Sequence, residues 1–243
     1  MSGDYAAFEV ACEHCETKRM CVIFFVIDRS GKMAGTRIQA VNTYLRGLIK
    51  EISEDGVSNE SEDIRISVLS FADTFEWMNP LPLSAREFVW RDLAAGGRLN
   101  LGAALAELQR KMSRGEFFAD KGSDALFVPI VIFLMSSGNQ ESSYDEELIT
   151  LWENKYFQNS LRVALPVGRH ADIRAIAGIT GNSEFVFKPA GNPDDLAKRL
   201  RDIKKYCLKL IALDADTPTG KALREQEFEL NENDVSWDDE EVW

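Results

Sequence analysis

An uninterrupted run of six apolar residues, Val22 to Ile27, constrains the fold more than any other feature of the sequence. Most of these side chains are β-branched or aromatic, which favours a strand, and the absence of polar residues indicates that both faces of the strand are covered. A second long apolar run, Leu126 to Met135, has the same character. Two such runs predict a sheet with central strands enclosed between helices.

Helix and strand patterns alternate along the rest of the chain. Apolar residues spaced three or four apart predict helices over 38–52, 101–112, 146–152 and 172–179. Further strands are predicted at 64–71, 74–78, 161–166 and 185–187. Because only Ala72 and Asp73 separate 64–71 from 74–78, these two segments predict a hairpin, whose second strand is antiparallel and lies at the sheet edge.

The final helix has the clearest beginning in the sequence. Asn192 is a suitable N-cap, Pro193 fits the first helical position, and two aspartates follow it. Together, these elements predict an α/β fold: a doubly wound, Rossmann-like, mostly parallel six-stranded sheet with one antiparallel edge strand and helices on both faces. In such a sheet, ligands bind where loops leave the carboxyl ends of the strands.

The charge of the chain limits its partners. A net charge of −12 argues against nucleic acid or an anionic membrane as the main ligand, since both are bound through clustered lysine and arginine. No apolar run is long enough to span a bilayer and the first residues resemble no export signal, so we expect a cytoplasmic protein. Its cysteines are then expected to be free thiols: Cys12, Cys15, Cys21 and Cys207.

The sequence divides into three parts: an arm over 1–20, a domain over 21–213 and a tail over 214–243. The tail has eleven acidic and two basic residues, a net charge of −9, which predicts disorder in the free protein. It also contains Phe228, Trp237 and Trp243, and aromatic residues among acidic ones suit a peptide that docks on a basic groove. Three interpretations stay open: the tail covers its own domain, it binds a partner, or it serves solubility alone.

Three loops carry motifs that suggest a family. Asp28-Arg29-Ser30-Gly31-Lys32-Met33 follows the first strand, Gly96 to Leu105 leads into a helix, and Phe133-Leu134-Met135-Ser136-Ser137-Gly138 ends the second long apolar run. These segments resemble three motifs of von Willebrand factor A (VWA) domains: Asp-x-Ser-Gly-Ser-Met, Gly-Gly-Thr-x-Leu-Gly-x-Ala-Leu, here with one residue added, and Phe-Leu-x-Thr-Asp-Gly. The resemblance covers residues 21–213, and the subgroup it resembles is the bacterial tellurium-resistance type.

The resemblance implies a metal-ion-dependent adhesion site (MIDAS). Family members hold Mg²⁺ or Mn²⁺ there with an Asp and two Ser from the first loop, a Thr from the second and an Asp from the third. Asp28 and Ser30 match this pattern. The departures are Lys32 for the second Ser, Leu99 or Asn100 for the Thr, and Ser137 for the second Asp. Because an ammonium replaces a ligand and one carboxylate is missing, we expect no bound metal; any metal that did bind would use Asp28 and Ser30.

Two interpretations of Lys32 stay open: its ammonium pairs with Asp28 in place of the metal, or it lies in solvent. Arg29 and Arg98 lie on neighbouring loops, so this edge of the sheet is expected to be basic and to receive a carboxylate or phosphate directly. The alternative is that these residues are ordinary solvated charges. The predicted partner-binding residues on this face are Asp28, Arg29, Ser30, Lys32, Arg98, Leu99, Asn100 and Ser137.

Other motifs do not support an enzyme or a second metal site. Ser30-Gly31-Lys32 lacks the glycine at position 26 and the hydroxyl residue at position 33 that a phosphate-binding P-loop requires. Cys12-Glu13-His14-Cys15 with Cys21 offers soft ligands for zinc, but a single Cys-x-x-Cys pair is a weak signal, and we prefer free thiols. The other histidine, His170, fits a loop before a helix, so no catalytic constellation is found.

We therefore expect a non-catalytic module that binds protein partners. The resemblance adds the context of an adaptor or regulator in a bacterial stress or defence system, beside a kinase, phosphatase or ATPase. An alternative hypothesis is a working MIDAS that binds partners through Mg²⁺. A third is an enzyme whose site has no recognisable motif.

Overall fold

The computed structural model describes residues 19–55, 62–113, 116–117, 129–136, 144–168 and 173–212. Within these ranges the strands are β1 Arg19–Asp28, β2 Glu62–Phe71, β3 Phe75–Trp77, β4 Leu83–Ser84, β5 Ile130–Ser136 and β6 Leu161–Val167. The α-helices are α1 Thr36–Asp55, α2 Leu101–Lys111, α3 Asp145–Trp152, α4 Lys155–Gln158, α5 Ile173–Thr180 and α6 Pro193–Ala212. Across the same ranges, no helix has the length and apolar character needed to cross a membrane.

β1 lies in the middle of the sheet. The strand order is β3-β2-β1-β5-β6, in which β2, β1, β5 and β6 are parallel, while β3 and β4 pair antiparallel with the outer edge of β2. The predicted α/β fold with a hairpin at the sheet edge is confirmed. The hairpin link is one residue longer than predicted, because Ala72 N donates to the Thr74 carbonyl (2.8 Å) and β3 begins at Phe75. The short strand β4 was not predicted.

The apolar run in β1 is buried on both faces, as predicted. Ile23, Phe25 and Ile27 belong to a core shared with α1 and α6, whereas Phe24 and Val26 belong to a second core shared with α2, α3 and α5. Burying one side chain of this size stabilises a fold by about 1.5–3 kcal/mol relative to leaving it in water. The two cores therefore fix β1, and with it the point where the chain leaves the sheet after Asp28.

The prediction of a last strand at 185–187 is wrong. Phe185 ends a 3₁₀ turn whose start is capped by Asn182, because the Asn182 side chain accepts a hydrogen bond from Glu184 N (3.0 Å). The residues after this turn make two isolated parallel bridges to β6 instead of a strand. The sixth strand of the described sheet is β4.

The beginning of α6 is confirmed. Asn192 Oδ1 accepts a hydrogen bond from Asp195 N (2.8 Å), and Pro193 is the first helical residue. The face of α6 that packs into the first core includes Leu196, Leu200, Ile203 and Cys207.

Candidate functional site

Three loops meet at the carboxyl edge of the sheet, beside the end of β1. Arg29 N donates to the Phe71 carbonyl at the end of β2 (2.8 Å), and the Arg29 carbonyl accepts from Gly96 N (2.8 Å). Gly31 N donates to the Gly97 carbonyl (2.9 Å). Backbone hydrogen bonds therefore hold the loop after β1 between the end of β2 and the glycine pair before α2. We call residues 28–33, 72–74 and 96–100 the carboxyl rim.

Asp28 is completely buried at the inner side of the carboxyl rim. Its Oδ1 accepts a hydrogen bond from Ser30 N (2.7 Å), and its Oδ2 accepts from Ser136 N (2.9 Å) and from Ser136 Oγ. Hydrogen bonds to a carboxylate are roughly twice as strong as those between neutral groups, which offsets the cost of removing the charge from water. The Asp28 side chain thus ties the loop after β1 to the end of β5.

Within the described residues, Ser30 makes a hydrogen bond through its backbone N–H but none through its side chain. The Ser30 side chain is buried, and its Oγ has no hydrogen-bond partner in the part of the chain described; the same holds for Nε of the half-buried Arg29. A buried polar atom without a partner costs about 1–3 kcal/mol, so such atoms are usually satisfied by water, an ion or a ligand. Ser30 Oγ is therefore the oxygen of this site that remains available for a ligand.

Lys32 lies on the outside of the carboxyl rim. It is exposed in the short turn Gly31–Met33, which the buried side chain of Met33 anchors to the core. The described contacts of Asp28 come from serines, so they do not support the interpretation in which Lys32 pairs with Asp28. The Lys32 carbonyl accepts a hydrogen bond from Arg37 Nη1 (2.9 Å).

Arg37 is a cation beside the carboxyl rim that was not predicted from the sequence. Besides holding the Lys32 carbonyl, its guanidinium packs against Gly168 at the end of β6, where an added Cβ would lie 3.3 Å from Cζ. Gly168 has φ +106, a conformation that favours glycine. The sequence feature that could have identified Arg37 is its position in the first turn of the helix that follows the motif loop.

Asp73 is a second residue that the sequence analysis assigned no role. Its Oδ1 accepts a hydrogen bond from Arg98 N (3.0 Å), and its Oδ2 occupies the space beside Gly97 that a Cβ would fill. Gly97 has φ +78, so both its conformation and its neighbour exclude a side chain. The hairpin between β2 and β3 thereby fixes the glycine loop, and with it the exposed Arg98.

Neither candidate for the family's threonine offers a ligand oxygen. Leu99 is half-buried and packs against the second core. Asn100 is the N-cap of α2, since its Oδ1 accepts a hydrogen bond from Ala103 N (3.2 Å), and its backbone N donates to the Ala72 carbonyl (3.1 Å). The Asn100 side chain is therefore committed to the helix.

The structure brings together Asp28, Arg29, Ser30, Arg98, Leu99 and Asn100 through the bonds above, with Lys32 in the same loop. Ser137 lies outside the described residues, as do Cys12, His14, Cys15, His170 and the tail residues Phe228, Trp237 and Trp243. Among the described residues, no group of three or more histidine, cysteine, aspartate or glutamate side chains is placed to hold a metal ion.

Cys21 and Cys207 are buried, and neither forms a disulfide with a cysteine of the described residues. Cys21 lies in β1, and its side chain belongs to the first core. Burial raises the pKa of the Cys207 thiol to about 12, so this thiol stays protonated at neutral pH. Neither group is suited to nucleophilic chemistry.

A family model covers most of the chain. Residues 23–206 match the model of the von Willebrand factor type A domain. No curated protein sequence is similar enough to this chain to count as a relative.

Several solved structures share the fold at low sequence identity. A von Willebrand factor type A protein from Catenulispora acidiphila has a TM-score of 0.55 at 18% identity, covering 77% of this chain and 42% of its own. Proximal thread matrix protein 1 from the mussel byssus, with a zinc-occupied MIDAS motif, has a TM-score of 0.56 at 19% identity, covering 79% and 46%. The pilus adhesin SpaC from Lactobacillus rhamnosus GG has a TM-score of 0.58 at 13% identity, covering 79% and 30%. This chain thus spans less than half the length of these proteins.

Removing the Asp28 carboxylate should destabilise the domain without any metal being involved. Asp28→Ala leaves three buried donors without an acceptor, so we expect the free energy of unfolding to fall by about 3 kcal/mol or more. Ser30→Ala is the matched control, because the oxygen it removes has no partner, and it should cost less than about 1 kcal/mol. Urea unfolding in EDTA measures both, and equal losses would contradict this account of the site.

The glycine pair before α2 should tolerate substitution at one position only. Gly97→Ala is expected to lower the free energy of unfolding by about 1–3 kcal/mol, because it strains a positive φ and displaces Asp73. Gly96→Ala is the control, since an added Cβ there meets nothing within 4 Å. Thermal or urea unfolding of both variants checks this, and an equally harmless Gly97→Ala would show that Asp73 does not hold the loop.

Proposed function

The chain belongs to the von Willebrand factor type A family, and from this membership we propose that it is a non-catalytic protein-interaction module. Its carboxyl rim binds an acidic group of a protein partner directly, without a metal ion. The observation that carries the proposal is the arrangement of charge at the rim. The Asp28 carboxylate there is buried and accepts from three donors, and the positive charges of Lys32 and Arg98 lie at the exposed surface.

The donor set does not fit a divalent cation of the family type. Both Asp28 oxygens accept hydrogen bonds, a lysine replaces one serine ligand, and the two candidates for the threonine are a core leucine and a helix cap. A hard cation such as Mg²⁺ requires several oxygen ligands and is repelled by a neighbouring ammonium. These features support the proposal that the MIDAS of this chain is degenerate.

The same rim fits an anionic ligand better. Arg37 adds a fourth cation beside Arg29, Lys32 and Arg98. Arg29 contributes an Nε–H that has no partner among the described residues. The other rim carboxylate, Asp73, already accepts a hydrogen bond from Arg98 N and lies against Gly97. Arginine and lysine near a surface attract a carboxylate or phosphate and raise its association rate.

A metal-dependent interaction module is the second candidate, and one observation favours it. Ser30 Oγ is buried without a partner in the described part of the chain, as a ligand oxygen awaiting a cation would be. The zinc-occupied MIDAS motif of the mussel protein makes this candidate worth testing.

The biological setting is proposed from the sequence resemblance. We place the module in the cytoplasm, as an adaptor or regulator of the tellurium-resistance type in a bacterial stress response, beside a kinase, phosphatase or ATPase. We propose no catalytic role, since the serine hydroxyl that donates to a carboxylate in the described site, Ser136 Oγ to Asp28, is buried together with that carboxylate and is not open to a substrate. The unrecognised enzyme remains the third hypothesis.

Partner capture with charge-reversed variants tests the proposed rim. We expect the tagged full chain to retain a specific partner from its host's extract in EDTA, and Lys32→Glu with Arg98→Glu to reduce recovery at least tenfold. Arg86→Glu with Lys155→Glu changes the charge equally at other exposed positions and should leave recovery unchanged. Mass spectrometry identifies the partner. Loss of the partner in EDTA would favour the metal-dependent candidate, and equal recovery by both double variants would exclude the rim.

Thermal unfolding tests the absence of a metal. Millimolar Mg²⁺ or Mn²⁺ should leave the Tm unchanged, because only a ligand that binds the folded state raises it. The variant Lys32→Ser, Leu99→Thr, Ser137→Asp restores the family residues and should gain a Tm increase of several degrees with either ion. Adding Ser30→Ala to it is the control that should abolish the gain. A metal-dependent shift in the unmodified chain would overturn the proposal.

A further inference from the structure

We propose that the acidic tail, residues 214–243, docks on its own domain along α6 and inserts an aromatic side chain between α1 and α6. This surface lies on the helix layer over the first core, so the inference is independent of the function proposed for the carboxyl rim. A tail docked there is an internal ligand, which an acidic or aromatic segment of a partner would have to displace.

A small groove lies between α1 and α6. It has a volume of about 80 Å³ and is lined by Tyr44, Gly47, Leu48, Glu51, Leu200 and Arg201, among others. Gly47 opens it, because a Cβ added there would meet nothing within 4 Å. The groove is open to solvent on one side, so it can take the edge of one side chain of a bound segment while the segment's backbone stays on the surface.

Three exposed cations of α6, which we call the basic row, lie beside this groove. Lys198, Arg201 and Lys205 are exposed on α6 at spacings of three and four residues, which places them on one face of the helix. The carboxylate that lines the groove, Glu51, accepts a hydrogen bond from Lys204 Nζ (2.8 Å) and so adds little negative charge. Over its full length, α6 carries six lysines and arginines against three aspartates.

The tail has the complementary composition. Its net charge is −9, and Phe228, Trp237 and Trp243 stand among its acidic residues. Opposite charges would align the tail with the basic row, and the groove would receive an aromatic ring, which is the usual anchor of a docked peptide.

The basic residues of α6 lie close to the point where the tail begins. Ala190 pairs with Val167 at the carboxyl end of β6, so α6 starts at that edge of the sheet. Its 20 residues then span about 30 Å toward the opposite edge. The tail therefore begins at the end of α6 that is farther from the carboxyl rim, about 10 Å along the helix from Lys205.

The tail is long enough to reach the groove. From Ala212 back to Leu200 is about 18 Å along the helix axis, at roughly 1.5 Å per residue. Trp237, the first of the two tail tryptophans, lies 25 residues after Ala212, and an extended segment of that length spans about 80 Å. A tethered segment of this kind meets its site at an effective concentration near millimolar, so even a weak contact is populated.

NMR of the indole N–H signals in the full chain tests the proposal. Trp237→Phe and Trp243→Phe assign the two tail signals, which we expect to be shifted or broadened relative to random coil. Gly47→Phe fills the groove and should return at least one signal to its random-coil position. Gly47→Ala is the matched control, since Ala fits the open space and favours the helix by up to about 1 kcal/mol, and it should change neither signal.

Charge reversal separates the basic row from the carboxyl rim. Arg201→Glu with Lys205→Glu should release both tail signals, whereas Lys32→Glu with Arg98→Glu should leave them in place. Added salt should release them as well, because exposed charge contacts are screened over about 10 Å at 0.1 M salt. Random-coil signals in the unmodified chain would overturn the proposal, and so would release by the rim variant but not by the α6 variant.

Discussion

The Asp28 carboxylate, buried between the ends of β1 and β5, is the interaction on which the carboxyl edge of this domain depends. It accepts hydrogen bonds from Ser30 N, Ser136 N and Ser136 Oγ, so one side chain joins the loop after β1 to the neighbouring strand. A buried carboxylate is tolerated only when such donors surround it. Because β1 is fixed by cores on both faces, the position of this carboxylate follows from the burial of the strand itself.

This arrangement shows how hydrogen bonds within the chain hold the loops of the carboxyl rim in place. The donors to Asp28 are backbone and serine groups, and Asp73 holds the glycine loop through Arg98 N. Loop geometry is therefore maintained by hydrogen bonds within the chain. A change of residue at the exposed position 32 would therefore alter the charge of the surface while the scaffold beneath it persists.

Much of this could be predicted from the sequence, for identifiable reasons. The apolar run in β1 can only be a strand covered on both faces, and Asn192 before Pro193 has a local geometry that fixes the start of a helix. Arg37 and Asp73 were missed because their contacts depend on how distant loops meet, which no local pattern records. The segment 185–187 has strand composition, but the capped turn before it removes Phe185 from the sheet.

The central position of β1 has a consequence for synthesis of the chain. Asp28 and Ser136 are separated by 108 residues. The strand β5, which pairs with one edge of β1, is therefore synthesised long after β1. At roughly 5–20 residues per second, a ribosome needs about 5–20 seconds to supply β5 after β1 has emerged. Throughout that time β1 has one open, apolar edge of the kind that promotes aggregation. The strand that organises the finished domain is thus also the strand of the described sheet that waits longest for its second neighbour during synthesis.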